Sequence, residues 1–483
     1  MIFNSIDFAI FLPIVFILYW GLSNKNLKLQ NLLIVIASYT FYGWWDWRFL
    51  ALILFSTIVD YSIGLKLKTQ ENLSKRKLLL WISILVNIGF LGFFKYYNFF
   101  LDNFVTAFSF FGSKINSNSL NIILPVGISF YTFQTLSYTI DVYKRNLQPA
   151  NNFISFTAFV SFFPQLVAGP IERATNLLPQ FYKKRTFDYS KAVDGMRQIL
   201  WGLVKKIVIA DNCAEYANLI FNNSSDYSGS TLVLGALFFT FQIYGDFSGY
   251  SDIAIGTSRL FGFDLKRNFN FPYFSRDIAE FWRRWHISLS TWFRDYLYIP
   301  LGGSRGGILI KMRNTFVIFI VSGFWHGANW TFVIWGALNA IYFIPLLLTK
   351  KNRNHIDIVA KGKYFPTLKD LFLMFVTFGL TVFAWIFFRA EDLNHAFQII
   401  SSIFSKSIFS IPSFSNSTSA IPTILLIIAF VIVEWFGRET EFAIQNMQNL
   451  RNRILRWTIY IILVVIIFYA GSYEETAFIY FQF

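Results

Sequence analysis

Two histidines in unlike surroundings carry the clearest chemical signal in this 483-residue chain. Only four histidines occur, and two of them, His286 and His326, lie between Arg276 and Trp330, each directly after a tryptophan. His326 stands within a long apolar run, about Thr315–Leu348, in the words NTFVIFIVSGFWHGANW. Ionisable groups in such runs are costly and usually face a protein interior or a water-filled cavity. Burial keeps an imidazole neutral, as a general base requires. On a continuous helix Ser322 falls one turn before His326 and Asn329 nearly one turn after, so both could orient the ring. Gly323 and Gly327 form a small-xxx-small pair that lets another backbone or a substrate approach closely. A hydrogen-bonded interior histidine with only a packing role is the plainer alternative.

His286 lies in a charged, aromatic stretch. Read as one helix at about 100° per residue, Glu280–Tyr298 puts Trp282, Trp285, Leu289, Trp292 and Tyr296 on one arc. Arg283, His286, Ser290 and Arg294 share the opposite arc, so the histidine is flanked by two guanidinium groups. The plainer alternative is an interfacial helix with a solvated polar face. Pro300 and the loop Gly302-Gly303-Ser304-Arg305-Gly306-Gly307 follow at once. A basic glycine-rich loop, here carrying Arg305, can bring backbone N–H groups toward phosphate, although glycine runs are more often turns.

Other polar groups argue against rival chemistries. Asp246 and Asp252 are six residues apart, about 120° from a shared helical face, so a two-carboxylate metal site is not expected. They read instead as buried carboxylates paired with arginines of the 276–305 stretch. The single cysteine, Cys213, excludes an internal disulfide and reads as a small core residue. His355 and His395 read as solvent-facing or interfacial. No serine or cysteine has the surroundings of a nucleophile elbow or a triad. Direct transfer assisted by a histidine base therefore fits better than a covalent intermediate, with no metal and no bound cofactor.

The elements that must position these groups belong in a membrane. Hydrophobic residues make up 55% of the chain and charged ones 14%, with mean hydropathy +0.47, too little polar surface for a soluble protein of this length. The expected fold is all-α and polytopic, with roughly ten to twelve spans at about twenty residues per crossing, plus re-entrant or interfacial helices. Five early spans are expected near 8–22, 29–43, 49–65, 78–97 and 122–140. The loops at 23–28, 66–77 and 144–145 are basic, whereas those at 44–48 and 112–121 are lean in charge. Alternation thus puts the N-terminus outside the cytoplasm. MIFNSIDF lacks a basic leader, which favours a retained first span over a cleaved signal peptide. The net charge of +15 then reflects orientation, not nucleic-acid binding.

Later segments are harder to place. Phe153–Val167, with Pro164, reads as a bent or partly inserted helix. KKRTFDYSKAVDGMRQILWGLVKKIVIADN reads as an amphipathic helix whose basic face lies in the cytoplasmic interface. A polar loop, about Thr349–Lys369, precedes spans near 371–388, 421–436 and 454–471. The chain reads as one membrane domain over residues 1–483 with a catalytic core about 231–348.

Several blocks resemble the membrane-bound O-acyltransferase superfamily, in particular its AlgI-type bacterial branch, membrane subunits that O-acetylate exported polysaccharides such as alginate. They are MIFNSIDFAIFLPIVFILYW, GDFSGYSDIAIGTSRLFGFDL, NFNFPYFSRDIAEFWRRWHISLSTWFRDYLYIPLGG, FWHGANWTFVIWG and the terminal FIYFQF. The resemblance spans nearly the whole chain. It implies helices around a central funnel, His326 as the catalytic histidine and His286 as a second core histidine supporting catalysis or substrate placement. It also implies an acyl, here acetyl, group taken from a cytoplasmic thioester, acetyl-CoA or an acyl carrier protein, toward an extracytoplasmic polysaccharide, often through a partner acyltransferase. Arg283, Arg294, Ser290, Asn329 and Arg305 are the expected substrate- or donor-binding residues, and basic side chains suit coenzyme A phosphates. The expected place is the bacterial inner membrane, in contact with lipid.

The D-alanylating branch that modifies teichoic acid shares FWRRWHISLSTWFRDYLY, but the following YIPLGGSRGG is closer to the polysaccharide-acetylating branch. D-alanyl or other acyl transfer to teichoic acid or peptidoglycan is the nearest alternative. A transporter or flippase for a glycan or acyl carrier is another, and would favour midplane sites between repeated halves. The histidines here cluster in one unrepeated region. A scaffold that only recruits a partner enzyme is the third.

Overall fold

The computed structural model describes residues 1–22, 26–110, 120–167, 169–415, 417–471 and 478–479, and among them every regular element is helical. In chain order the helices are α1 (Ile6–Ile17), α2 (Leu27–Asp46), α3 (Leu50–Thr69), α4 (Leu73–Leu91), α5 (Tyr97–Phe110), α6 (Ile128–Tyr143), α7 (Phe153–Ser161), α8 (Phe163–Leu166), α9 (Ala174–Leu177) and α10 (Tyr189–Leu203). There follow α11 (Asp211–Asn222), α12 (Gly229–Leu260), α13 (Ile278–Arg284), α14 (Ile287–Phe293), α15 (Ile308–His326), α16 (Trp330–Leu348), α17 (Leu368–Arg389), α18 (Leu393–Ile403), α19 (Ala420–Gly437) and α20 (Arg453–Ala470). Eight helical stretches among the described residues are long and apolar enough to cross a membrane. Leu27–Thr69 and Leu73–Ser109 hold two helices each, and the apolar stretches Ile6–Gly21 and Phe153–Leu166 are shorter. The all-helical, multi-span architecture expected from hydropathy is present. Contacts group the chain into two compact units, residues 1–195 with 257–266 and residues 196–256 with 267–483.

In the first unit, polar groups replace oil at the meeting of α3, α4 and α6. The buried Asp60 carboxylate accepts from the Ser83 and Thr139 hydroxyls and the Asn87 amide, while Ser56 and Thr135 donate to the Asn87 oxygen. Left unpaired and without water, each of these groups would cost on the order of several kcal/mol, so the knot sets how the three helices pack. It also corrects the fifth expected span. The helix begins only at Ile128 and runs to Tyr143, and its hydroxyl-rich faces are almost wholly interior. The Phe153–Val167 segment is bent as expected: α7 stops at Phe162, and Pro164 opens α8. Trp44, Trp45 and Trp47 are exposed, as an interfacial belt requires. Lys25 and most of the 112–121 connection lie outside the described residues.

The second unit holds both histidines of interest. Its tightest helix pair is α15 with α16. A Cβ at Gly323 would collide with the carbonyl oxygen of Phe332, one at Gly336 with that of Phe319, and one at Gly327 with the Phe332 ring. The apolar run over Thr315–Leu348 is therefore a hairpin, and His326 closes its first helix instead of lying midway along one span.

The segment expected to lie basic-face-out in the interface is different. Between α10 and α11 the chain forms a π-helix, Val204–Ala210, and Lys205 and Lys206 are 4% and 1% exposed. Adjacent residues point about 100° apart, which matches the divergent Asp252 and Asp246 on α12. Lys205 Nζ lies 3.0 Å from Asp252 and 3.3 Å from Glu434. Lys206 Nζ lies 2.7 Å from Asp211 and 2.9 Å from Asp246. Burial alone would lower the Lys206 ammonium, yet Asp246 and Asp211 hold it above its ordinary value. The aspartates are thus paired with lysines and not with arginines of the 276–305 stretch. Cys213 is fully buried, the core residue expected.

Candidate active site

The stretch around His286 is not one helix. α13 is capped by the Asp277 side chain on Glu280 N–H and ends at Arg284, and Trp285 is extended. His286 then sits at φ 42°, ψ 55°, in the left-handed region, before α14 begins; Arg294–Tyr298 continues as a π-turn. The left-handed conformation costs a non-glycine residue about 1–2 kcal/mol. The break turns Trp285 into a cluster of rings and His286 inward, where it is 1% exposed. The common face expected for Arg283, His286, Ser290 and Arg294 is therefore split.

His286 lies edge-on to Phe247 at 4.6 Å, with Phe269 and Trp325 rings at 6.3 and 6.1 Å. Its Nδ1 is 3.1 Å from the Asn268 side-chain oxygen. His326, 4% exposed, is boxed by Trp325 at 4.9 Å, Trp335 at 5.2 Å and Phe388 at 5.2 Å. Trp325 therefore touches both imidazoles. Trp385 stacks on Trp335 at 5.6 Å and meets Trp285 at 5.2 Å, closing the cluster from α17. The sequence pairing of each histidine with a tryptophan thus becomes one ring-lined site.

Arg283, Ser290 and Arg294 do meet, without His286. With Arg353, Ser304 and Ser322 they line a cavity of about 500 Å³ whose apolar walls include Trp282, Phe319 and Phe343. Arg283 is anchored by donating to the Asn352 and His355 carbonyls, at 2.8 and 2.7 Å. Arg294 pairs with Asp295 at 2.7 Å and keeps a largely exposed side chain. Ser322, one of the lining residues, is one turn before His326 on α15.

Two expected site residues sit elsewhere. Asn329 caps α16 by accepting from Thr331 N–H and donates to the Glu391 carbonyl, because the helix has already ended at His326. Arg305 is exposed on the glycine turn, whose Leu301 and Gly303 carbonyls are held by Asn314. His355 and His395 are half-buried; His395 Nε2 is 3.0 Å from the Ser224 hydroxyl, and His355 Nδ1 is 4.0 Å from Asp277. Of the terminal FIYFQF only Phe478 and Ile479 are described, both buried. Sequence spacing missed Asn268, Arg353, Trp385 and Phe388. Asn268 could have been noticed as a polar residue inside the aromatic words NFNFPYF.

Burial among rings pushes the His286 imidazole from 6.5 down to about 3. The unfolded chain then takes up a proton that the folded chain refuses. Stability from this group is complete above 6.5 and is lost as pH falls from there toward 3. His286→Gln should weaken that acid sensitivity, so melting near about pH 4 and about pH 8 should differ less in the variant than in wild type. An equal acid-induced drop in both would contradict the buried neutral ring.

Two buried imidazoles thus share Trp325, one of them at the turn of an apolar hairpin whose first helix also contributes Ser322 to a cationic cavity. The membrane-bound O-acyltransferase family model matches residues 145–388, and the chain is a member of that family. It is 39% identical over 454 residues, 93% of this chain and 84% of the other, to the probable alginate O-acetylase AlgI of Pseudomonas aeruginosa. It is 38% identical over 433 residues, 83% and 80%, to the peptidoglycan O-acetyltransferase of Helicobacter pylori. The teichoic acid D-alanyltransferase of Bacillus subtilis is more distant, 26% identical over 288 residues, 57% and 71%.

Proposed function

We propose that this enzyme moves an acetyl group from a cytoplasmic thioester toward hydroxyls of an exported or cell-surface polysaccharide. The observation that carries the reading is buried His326, one helical turn from Ser322, which lines the arginine-bearing cavity. Similarity to proteins named for acetylating alginate and peptidoglycan supports acetyl over D-alanyl transfer and a glycan acceptor. In this reaction the acceptor oxygen attacks the thioester carbonyl carbon while His326 takes the hydroxyl proton. The C–S bond then breaks, and the leaving thiolate recovers that proton from the imidazolium. His286, whose ring lies 6.1 Å from that of Trp325, supports the site.

The donor is acetyl-CoA or an acetylated carrier protein, and both present phosphate on a flexible arm. Arg283, Arg294 and Arg353 suit that phosphate, and Ser290, Ser304 and Ser322 suit the amides of the arm. On this reading the cavity opens to the cytoplasmic side of a bacterial inner membrane and the N-terminus lies outside, an orientation that the basic loops favour. A partner acyltransferase outside the membrane would complete delivery to the glycan. The test is Arg294→Gln in proteoliposomes supplied with either donor. Loss of one charge-assisted contact should raise the donor KM by about 10-fold with kcat little changed. An unchanged KM for both donors would remove the cavity from the donor path.

A further inference from the structure

Asn268 belongs to the extended segment between α12 and α13 and is fully buried. Its backbone carbonyl accepts from Ile287 N–H at 2.8 Å. Its side-chain oxygen accepts from Ser288 N–H at 3.3 Å and the Ser288 hydroxyl at 2.8 Å, and lies 3.1 Å from His286 Nδ1. Its amide nitrogen donates to the Ser251 hydroxyl at 3.1 Å. One residue thus receives both backbone N–H groups that follow His286 and one atom of its ring.

These contacts fix where the protons sit. A backbone N–H can only donate, so the Asn268 atom facing Ser288 is the oxygen and not the nitrogen. Ser288 Oγ also lies 3.4 Å from Nδ1, but its one proton is directed to the Asn268 oxygen at 2.8 Å, so both oxygens facing Nδ1 act as acceptors and the hydrogen belongs on Nδ1. A neutral imidazole has a single N–H, and a proton on one nitrogen leaves the other with a lone pair. The ring's neighbours Phe247, Phe269 and Trp325 solvate no charge.

We infer that Asn268 is a positioning residue that locks His286 in the Nδ1–H tautomer, so that Nε2 is presented as a proton acceptor. The inference rests on His286 being part of the reaction machinery, as proposed above, only for its effect on rate. The tautomer assignment rests on the contacts with Asn268 and Ser288. The same residue holds the left-handed turn, because Ile287 and Ser288 N–H groups that would otherwise be orphaned at the start of α14 are satisfied by it.

The test is nitrogen NMR of the full-length protein labelled with ¹⁵N-histidine in lipid bilayers. With four histidines in the chain, subtracting the spectrum of His286→Gln identifies the His286 signals. Wild type should show a protonated Nδ1 and a bare Nε2 at neutral pH; a protonated Nε2 overturns the inference whatever the activity. Asn268→Ala should mix the tautomers and lower kcat by about 10- to 100-fold, leaving donor KM within about 2-fold. Asn268→Asp, which keeps an acceptor oxygen, should restore both the Nδ1–H signal and most of the rate. Loss of rate in Asn268→Ala with an unaltered tautomer would overturn the inference. If instead His286→Gln acetylates normally, the catalytic reading of His286 fails while the tautomer result stands.

Discussion

His326→Ala should lower acetyl transfer by about 10²–10⁴-fold, the range that a positioned general base supplies. The variant should still reach the membrane, since the ring packs against Trp325, Trp335 and Phe388 and its removal leaves the Lys205 and Lys206 ion pairs in place. Glycan O-acetyl content, measured beside the membrane level of the variant, reads the effect. Export of the glycan itself should continue. Normal acetylation by well-expressed His326→Ala would sink the base assignment, and loss of export together with the ester would favour a transporter. Donor KM should stay near the wild-type value, because the arginines of the cavity are untouched. A rise in KM with unchanged kcat would make His326 a binding residue.

Lys206→Met should be the most destabilising single change in the second unit. The ammonium is 1% exposed and bridges Asp211 and Asp246, and Asp246 also accepts from the Ile479 backbone N–H. Removing the cation leaves two carboxylates out of water, a loss of about 3–5 kcal/mol, comparable to the whole stability of many domains. Little folded protein should be recovered in detergent, and what remains should melt well below wild type. Adding Asp246→Asn should recover part of the loss by removing one stranded charge. Wild-type yield and melting in Lys206→Met alone would show that the bridge contributes nothing.

Much of this molecule was legible before its fold. Composition and hydropathy demanded a helical membrane protein, and the two Trp-His pairs marked the region that the fold gathers into one ring-lined site. Cys213 and the bend before Pro164 also read correctly. The break at His286 did not, because nothing in WRRWHISL carries a glycine or proline; the turn is imposed by Asn268, eighteen positions upstream. The hairpin at Gly327 was written locally, as Gly-Ala-Asn before Trp330, but the apolar run on both sides hid it. The helix ends before Asn329, whose side chain caps the next one. Lys205 and Lys206 show a different limit. Amphipathic periodicity separates polar from apolar faces but does not distinguish water from a carboxylate-lined interior, so a buried ionic knot read as a solvated face.

The rings around His326 bear on a competition that every thioester enzyme faces. An activated acyl group next to a base can be lost to water as easily as it is passed to a sugar. Trp325, Trp335 and Phe388, with Trp385 stacked behind, surround the imidazole with apolar rings, and a site that excludes water suppresses such side reactions. On the proposed reading, the tryptophans next to the base decide how many thioesters are used productively and how many are hydrolysed in vain.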